Sequence, residues 1–292
     1  MKIEIKNLTK VYRAGKKKAL DSVNIEIGEG IFGLIGRNGA GKTTLMRIVA
    51  TIMDATSGEV YFDGKELMAN KDEFRKSLGY LPQSTKLMPR MNIVEFLDYV
   101  CVMKGMKNKA ERAEKIKNAI ETVGLVGEEK KRLGRYSGGM LRRAGIAQAL
   151  IGEPKVLIID EPTTGLDPEE RGYFLNLLSK IAVNRTIIFS THITADIEHL
   201  CRNICVLEQG EVKYLGDKSE FIGHIEGKTW EHTGTPEDEE LLRRETAVTS
   251  VAYIDGKPYV RYVSDEARTA ESVSVTPSLE DAYIYALGGV RR

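Results

Sequence analysis

Residues Gly36-Arg37-Asn38-Gly39-Ala40-Gly41-Lys42-Thr43 fit the spacing G-x-x-x-x-G-K-[ST]. Glycines at these points let the backbone curl, so that successive N–H groups face inward on a phosphate. A helix beginning at Lys42 adds the positive end of its dipole. In such a loop Lys42 reaches the β- and γ-phosphates and Thr43 ligands Mg²⁺. Val156-Leu157-Ile158-Ile159-Asp160-Glu161 supplies a second half. A buried strand there delivers Asp160 to its carboxyl end, where α/β sheets bind ligands. Asp160 is expected in the Mg²⁺ shell, and Glu161 is placed to take a proton from an attacking water.

These groups need a frame. Gly30-Ile31-Phe32-Gly33-Leu34-Ile35 is a short apolar run between glycines, a strand buried on both faces. A helix around residues 43–52 follows the glycine turn. Val156–Ile159, Thr186–Phe189 and Ile204–Leu207 repeat the buried-strand pattern with helical segments between them. The expected core is an α/β sheet with parallel strands. Before it, Ile3 and Ile5, then Val23, Ile25 and Ile27, alternate as in half-buried antiparallel strands. From Asn92 to about Leu150 the period is helical. Ile93, Phe96, Leu97 and Val100 recur at i, i+3, i+4, i+7, as do Ile116, Ala119, Ile120 and Val123. An inserted α-helical subdomain is expected at about residues 84–152.

After about Phe221 a small α+β segment is predicted. Thr235-Pro236-Glu237-Asp238 opens a helix. Asp255-Gly256 is a two-residue hairpin turn between Val248–Ile254 and Tyr259–Val263. Ser278-Leu279-Glu280-Asp281 starts a last helix that Gly288-Gly289 ends. The domain reading is 1–221 and 222–292.

Composition narrows the class. Of 292 residues, 42% are apolar and 29% charged, with a net charge of +1. Residues 226–292 carry 8 basic and 13 acidic side chains, a net of −5, so the remainder carries about +6. Neither part reads as a nucleic-acid arm. No apolar run approaches the roughly 18 residues of a membrane span. Met1-Lys2-Ile3-Glu4 lacks a signal-peptide shape. Cys101, Cys201 and Cys205 are too few for a disulfide framework, and the expectation is a reduced, cytosolic chain. Cys201 and Cys205 are spaced as on one helix face.

Tyr136-Ser137-Gly138-Gly139-Met140, between the glycine loop and the acidic strand, resembles the signature motif of ATP-binding-cassette ATPases. The family form more often begins with Leu and ends with Gln, so Tyr136 and Met140 depart from it. The resemblance covers roughly residues 1–221. It implies a P-loop NTPase core with an antiparallel β subdomain and an inserted α-helical subdomain. By the same resemblance Tyr12 stacks on adenine. Gly36, Arg37, Asn38, Gly39, Ala40, Gly41, Lys42, Thr43 and Thr44 wrap the ATP phosphates. Gln83 senses Mg²⁺, Asp167 belongs to a loop crossing to a partner, and His192 switches on the γ-phosphate. Catalysis falls to Glu161, His192 and Lys42. Ser137, Gly138 and Gly139 reach nucleotide on a second cassette, so two cassettes, alike or merely similar, pair head to tail around two ATPs. The membrane-spanning permease subunits are then separate chains, which places this one at the cytoplasmic face of the membrane.

Arg142-Arg143 after the signature, and Thr276-Pro277-Ser278-Leu279-Glu280-Asp281-Ala282-Tyr283, resemble bacterial exporter-type cassettes. Taken alone, Arg142-Arg143 is as well read as a solvated helix face. Residues after Gln83, about 84–96, are expected to receive a short helix from a permease subunit, with Met88, Met91, Ile93 and Phe96 as candidates for an apolar groove there. The alternative is a soluble cassette ATPase acting on DNA or the ribosome. The 53 residues between Gln83 and Ser137 hold no long heptad run, and neither zinc-type cysteines nor a basic groove favours that alternative.

Overall fold

In the computed structural model, residues 2–12, 17–84 and 87–288 are described. Gly289 of the predicted helix stop, and Thr85 and Lys86 of the expected permease-facing stretch, lie outside them.

β1 (Ile3–Val11) and β2 (Lys18–Ile27) pair antiparallel, as their alternation requires. The alternation breaks at Asn7, whose φ of 49° marks a register shift. The bulge returns Leu8 to the buried face. β3 (Gly30–Ile35) then enters a second sheet and leads through the glycine loop into α1 (Lys42–Val49). That helix ends three residues before the predicted Ile52, because Thr51 takes φ 60°. β4 (Ser57–Phe62) and β5 (Lys65–Glu66) complete the first sheet, in the order β2-β1-β4-β5. α2 (Lys71–Lys76) leads to β6 (Leu78–Leu81).

The insert is helical as expected. It holds α3 (Ile93–Met103), α4 (Lys109–Thr122), a 3-10 turn (Leu133–Arg135) and α5 (Gly138–Leu150). Side chains start each helix. Asn92 and Glu95 form a capping box, Asn108 accepts from Ala110 N–H, and Ser137 accepts from Met140 N–H. β7 (Val156–Asp160), α6 (Pro168–Ile181), β8 (Thr186–Thr191), α7 (Thr194–Leu200), β9 (Asn203–Glu208) and β10 (Glu211–Asp217) finish the second sheet. Its order is β10-β9-β3-β8-β7-β6, parallel from β9 to β6 with β10 antiparallel at the edge. The carboxyl ends of β3, β6, β7 and β8 therefore share one edge.

The central strands are buried on both faces, and neighbouring residues serve opposite cores. Phe32, Leu34, Ile158, Ile188 and Leu207 pack with the N-terminal sheet and α1. Ile35, Leu157, Ile159, Phe189 and Val206 pack with the inserted helices, α6 and α7. This corrects the cysteine reading. Cys201 follows α7 and joins the helical-side core, whereas Cys205 lies in β9 and faces the other. Burial pushes both thiols up to about 12, so they are inert apolar groups.

Beyond α8 (Lys218–Gly223) come β11 (Thr229–Thr233), α9 (Pro236–Glu245), β12 (Ala247–Ile254), β13 (Lys257–Val263), β14 (Val273–Ser274) and α10 (Leu279–Ala286). The predicted turn is present, with Asp255 at φ 51° and Gly256 at φ 77° between β12 and β13. Thr235–Asp238 and Ser278–Asp281 are both capping boxes. Leu242, Val260 and Tyr262 form a small core of their own, whereas Leu279, Ala282 and Tyr283 of α10 join the helical-side core.

Candidate nucleotide site

Gly36 follows β3, and a Cβ on it would stand 2.4 Å from the Leu207 carbonyl. Gly39 and Gly41 take φ 85° and 110°, so the loop turns where only glycine turns without strain. α1 begins with no side-chain cap, which leaves its first N–H groups aimed out of the loop. Lys42 is 4% exposed. Its Nζ donates to the carbonyls of Gly36 at 2.5 Å and Arg37 at 3.3 Å.

Parallel β7 and β8 put Asp160 level with Ser190. Asp160 is fully buried. Its Oδ1 accepts from Ser190 Oγ at 2.6 Å, and its Oδ2 has no hydrogen-bond partner among the described residues. A buried carboxylate oxygen without a donor is costly unless a cation meets it. Together with the Thr43 hydroxyl at the start of α1, it suits Mg²⁺.

Glu161, one residue on, gathers the predicted catalytic groups. Its backbone is left-handed at φ 43°, held by N–H bonds to Ser190 O at 3.1 Å and Ser190 Oγ at 3.0 Å. Lys42 Nζ lies 3.1 Å from its Oε1. His192 Nδ1 stands 3.2 Å from its Oε2, and Gln83 Nε2 donates to the same oxygen at 3.3 Å. Lys42 from the start of α1, and Gln83 and His192 from beyond β6 and β8, thus meet at the carboxylate of Glu161, one residue past β7. The Tyr12 hydroxyl is 3.2 Å from Thr44 Oγ1, and the residue is 40% exposed.

Ser137 caps α5, and Gly138 has open space where a Cβ would be. A Cβ on Gly139 would stand 2.2 Å from the Glu170 carboxylate. No hydrogen bond or ion pair joins residues 137–139 to residues 36–44 among the described residues. Asp167 caps α6 ahead of Pro168. Tyr136, a departure from the family form, is buried and donates its hydroxyl to Glu128 O at 2.9 Å. Burial pushes that phenol up to about 12.

Two expectations change. Arg142-Arg143 is not a solvated face. Arg142 donates to the Gln83 carbonyl, tying α5 to the Gln83 turn. Arg143 bonds the Gly124 carbonyl at 3.0 Å and lies over the Tyr173 ring. The four-residue groove is also not there. Ile93 and Phe96 are core residues, Met91 packs against that core, and only Met88 is exposed.

The sequence reading missed a buried network around Asp196. Its carboxylate accepts from Thr163 Oγ1 at 2.6 Å, Thr191 Oγ1 at 3.2 Å and Arg171 Nε at 2.6 Å. It joins the loop before Asp167 to the strand end before His192. Its only signal is an acidic residue in the first turn of α7.

Fold and site together define a P-loop ATPase with an inserted helical subdomain. The ABC transporter family model matches residues 20–164. YxlF of Bacillus subtilis, an ABC transporter ATP-binding protein, is 32% identical over 97% of this chain and 98% of its own length. The linearmycin resistance ATP-binding protein LnrL, also of B. subtilis, is 31% identical over 78% of this chain and 73% of its own. The solved structure of the dimeric cassette MJ0796 bound to ADP and phosphate covers 74% of this chain and 98% of its own. It is 26% identical, with a TM-score of 0.66. The chain belongs to the ABC transporter ATP-binding proteins and is an ATPase of that family.

Proposed function

We propose that this chain powers an exporter whose membrane-spanning subunits are separate chains, and that it works as a head-to-tail pair of cassettes at the cytoplasmic face of the membrane. The observation that carries the exporter reading is α10. The segment resembling exporter-type cassettes, residues 276–283, leads into α10, whose Leu279, Ala282 and Tyr283 are docked into the ATPase core. Likeness to a resistance ATP-binding protein supports it. No helix of the described residues is long and apolar enough to cross a membrane. On this reading residues 1–221 are the cassette, with its helical subdomain at about 84–152, and residues 222–292 are an accessory segment.

In each site Lys42, the loop N–H groups and the α1 N-terminus hold the phosphates of ATP. Thr43, Asp160 and Gln83 would hold Mg²⁺, which would neutralise phosphate charge when bound. Glu161 takes the proton of the attacking water, and His192 orients the γ-phosphate. Tyr12 stacks on the base. Ser137, Gly138, Gly139 and Asp167 act toward the partner's nucleotide. The test is affinity purification of the tagged chain from detergent-solubilised host membranes. A polytopic membrane protein at about one-to-one stoichiometry is expected. Ribosomal or DNA-repair proteins with no membrane partner would overturn the transporter reading.

A further inference from the structure

Asp196 stands third in α7, where an acid commonly reaches back to the N–H ahead of the helix. Here that N–H, of Ile193, is taken by Thr191 Oγ1 at 3.0 Å, and no side chain caps α7. The Asp196 carboxylate turns inward instead and is fully buried. Its Oδ2 accepts from Thr163 Oγ1 at 2.6 Å and from Thr191 Oγ1 at 3.2 Å. Its Oδ1 accepts from Arg171 Nε at 2.6 Å, which offsets the charge. Thr163 and Thr191 are buried as well. A buried network whose polar groups are paired is rigid.

Each arm of this network ends beside a group of the nucleotide site. Thr163 lies two residues past Glu161, in the loop that runs on to Asp167. Arg171 sits in the first turns of α6, and its N–H bonds the Asp167 carbonyl at 2.9 Å. Thr191 directly precedes His192, whose Nδ1 stands 3.2 Å from Glu161 Oε2. The Thr191 hydroxyl donates to Asp196 and accepts from Ile193, so both chain neighbours of His192 are fixed. The His192 side chain is itself 39% exposed, and its place beside Glu161 depends on the backbone on either side.

We propose that Asp196 is a positioning residue for hydrolysis. It locks His192 and the loop of residues 163–167 into one unit, so that the histidine keeps its place beside Glu161. This rests on the roles of His192 and Glu161 given above. A shift of the loop when Asp167 meets a partner would carry His192 with it. ATP binding falls to Lys42 and the phosphate-loop N–H groups, which are not among the groups that Asp196 bonds in the described residues.

The test is Thr163→Val in the full chain. It breaks one arm and leaves the Asp196–Arg171 pair whole, whereas removing Asp196 would strand Arg171. It should cut kcat about tenfold, as losing a buried bond that fixes a reacting geometry does, with the Kd for trinitrophenyl-ATP within about twofold of the parent. Thr163→Ser, which keeps the hydroxyl, should restore kcat to within about twofold. His192→Ala alone should cost about a hundredfold. Adding Thr163→Val to it should cost less than about twofold more, because the histidine it placed is gone. Should the valine chain not fold, Thr163→Ala, which adds no branch, is read the same way. Three results overturn the proposal: Thr163→Val at the parent kcat, a serine variant as slow as the valine one, or the same loss repeated on top of His192→Ala, which a merely structural bond would give. His192→Ala at the parent rate would instead remove the histidine's own role, and this proposal with it, whatever Thr163→Val does.

Discussion

Glu161 illustrates what neighbouring residues in sequence can and cannot reveal. Asp160 and Glu161 are legible as a pair because a buried strand must end in something, and two acids there are costly unless used. Their division of labour comes from the backbone. Asp160 continues β7 and points its carboxylate at Ser190, whereas Glu161 turns left-handed and meets Lys42, Gln83 and His192. That turn depends on Ser190, which accepts the Glu161 N–H twice over. If Glu161 is the base, Glu161→Gln should cut hydrolysis by about a hundredfold or more, the usual worth of a general base. ATP binding should persist, since the amide keeps the side chain's shape and Lys42 keeps its bonds to Gly36 and Arg37. A hydrolysis rate equal to the parent's would remove Glu161 from that role. Asp196 was not legible at this scale, because its partners Thr163, Arg171 and Thr191 come from three segments that only the fold brings together.

At the scale of elements, sequence signals served best where the cause is local. The capping boxes at Thr235 and Ser278 and the turn at Asp255-Gly256 lie within four residues, and all three are present. Facing was harder. Ile93 and Phe96 read equally well as a groove or as core, since periodicity shows an apolar stripe and not what covers it. The spacing of Cys201 and Cys205 suits a helix, but α7 ends at Leu200, before both, and Cys205 lies in β9. α10 depends on both kinds of cause. Asp281 caps its start and pairs with Arg261 while only 1% exposed. Burial pushes that carboxyl up, but Arg261 and the Ser278 N–H and hydroxyl bring it, on balance, below its usual range. Asp281→Asn should therefore cost about 3 kcal/mol, the lower end for breaking a buried pair. The sign of the pH effect follows from the lowered value. The stabilisation is full above the unfolded-state pKa of about 4 and is lost as pH falls through the folded one. Thermal melts of parent and variant should differ equally at pH 7 and pH 5 and converge only below about pH 4. Equal melting points at pH 7 would show that the pair does not hold α10.

On the head-to-tail pairing proposed above, the whole molecule carries half of two sites. Lys42, Asp160, Glu161 and His192 share one sheet edge, while Ser137 caps a helix of the inserted subdomain and bonds no residue of the phosphate loop among the described residues. A helix start that presents Ser137 and an open Gly138 to solvent makes sense if another molecule's phosphate comes to it. Two defects should then complement between chains. Lys42→Ala empties the loop of its cation. Ser137→Asp keeps the α5 cap, because Asp caps as well as Ser, but sets a carboxylate against the partner's γ-phosphate. Each variant alone should be nearly inactive, since every site in its homodimer carries the defect. Mixed at equal concentration, half the dimers are hybrids, with one doubly damaged site and one intact site. A two-fold pair with independent sites recovers about a quarter of the parent activity. If Ser137 instead served the nucleotide of its own chain, each hybrid site would keep one defect and mixing would recover nothing. Specific activity in the parent should also rise with protein concentration until the pair is saturated, as a site assembled from two chains requires.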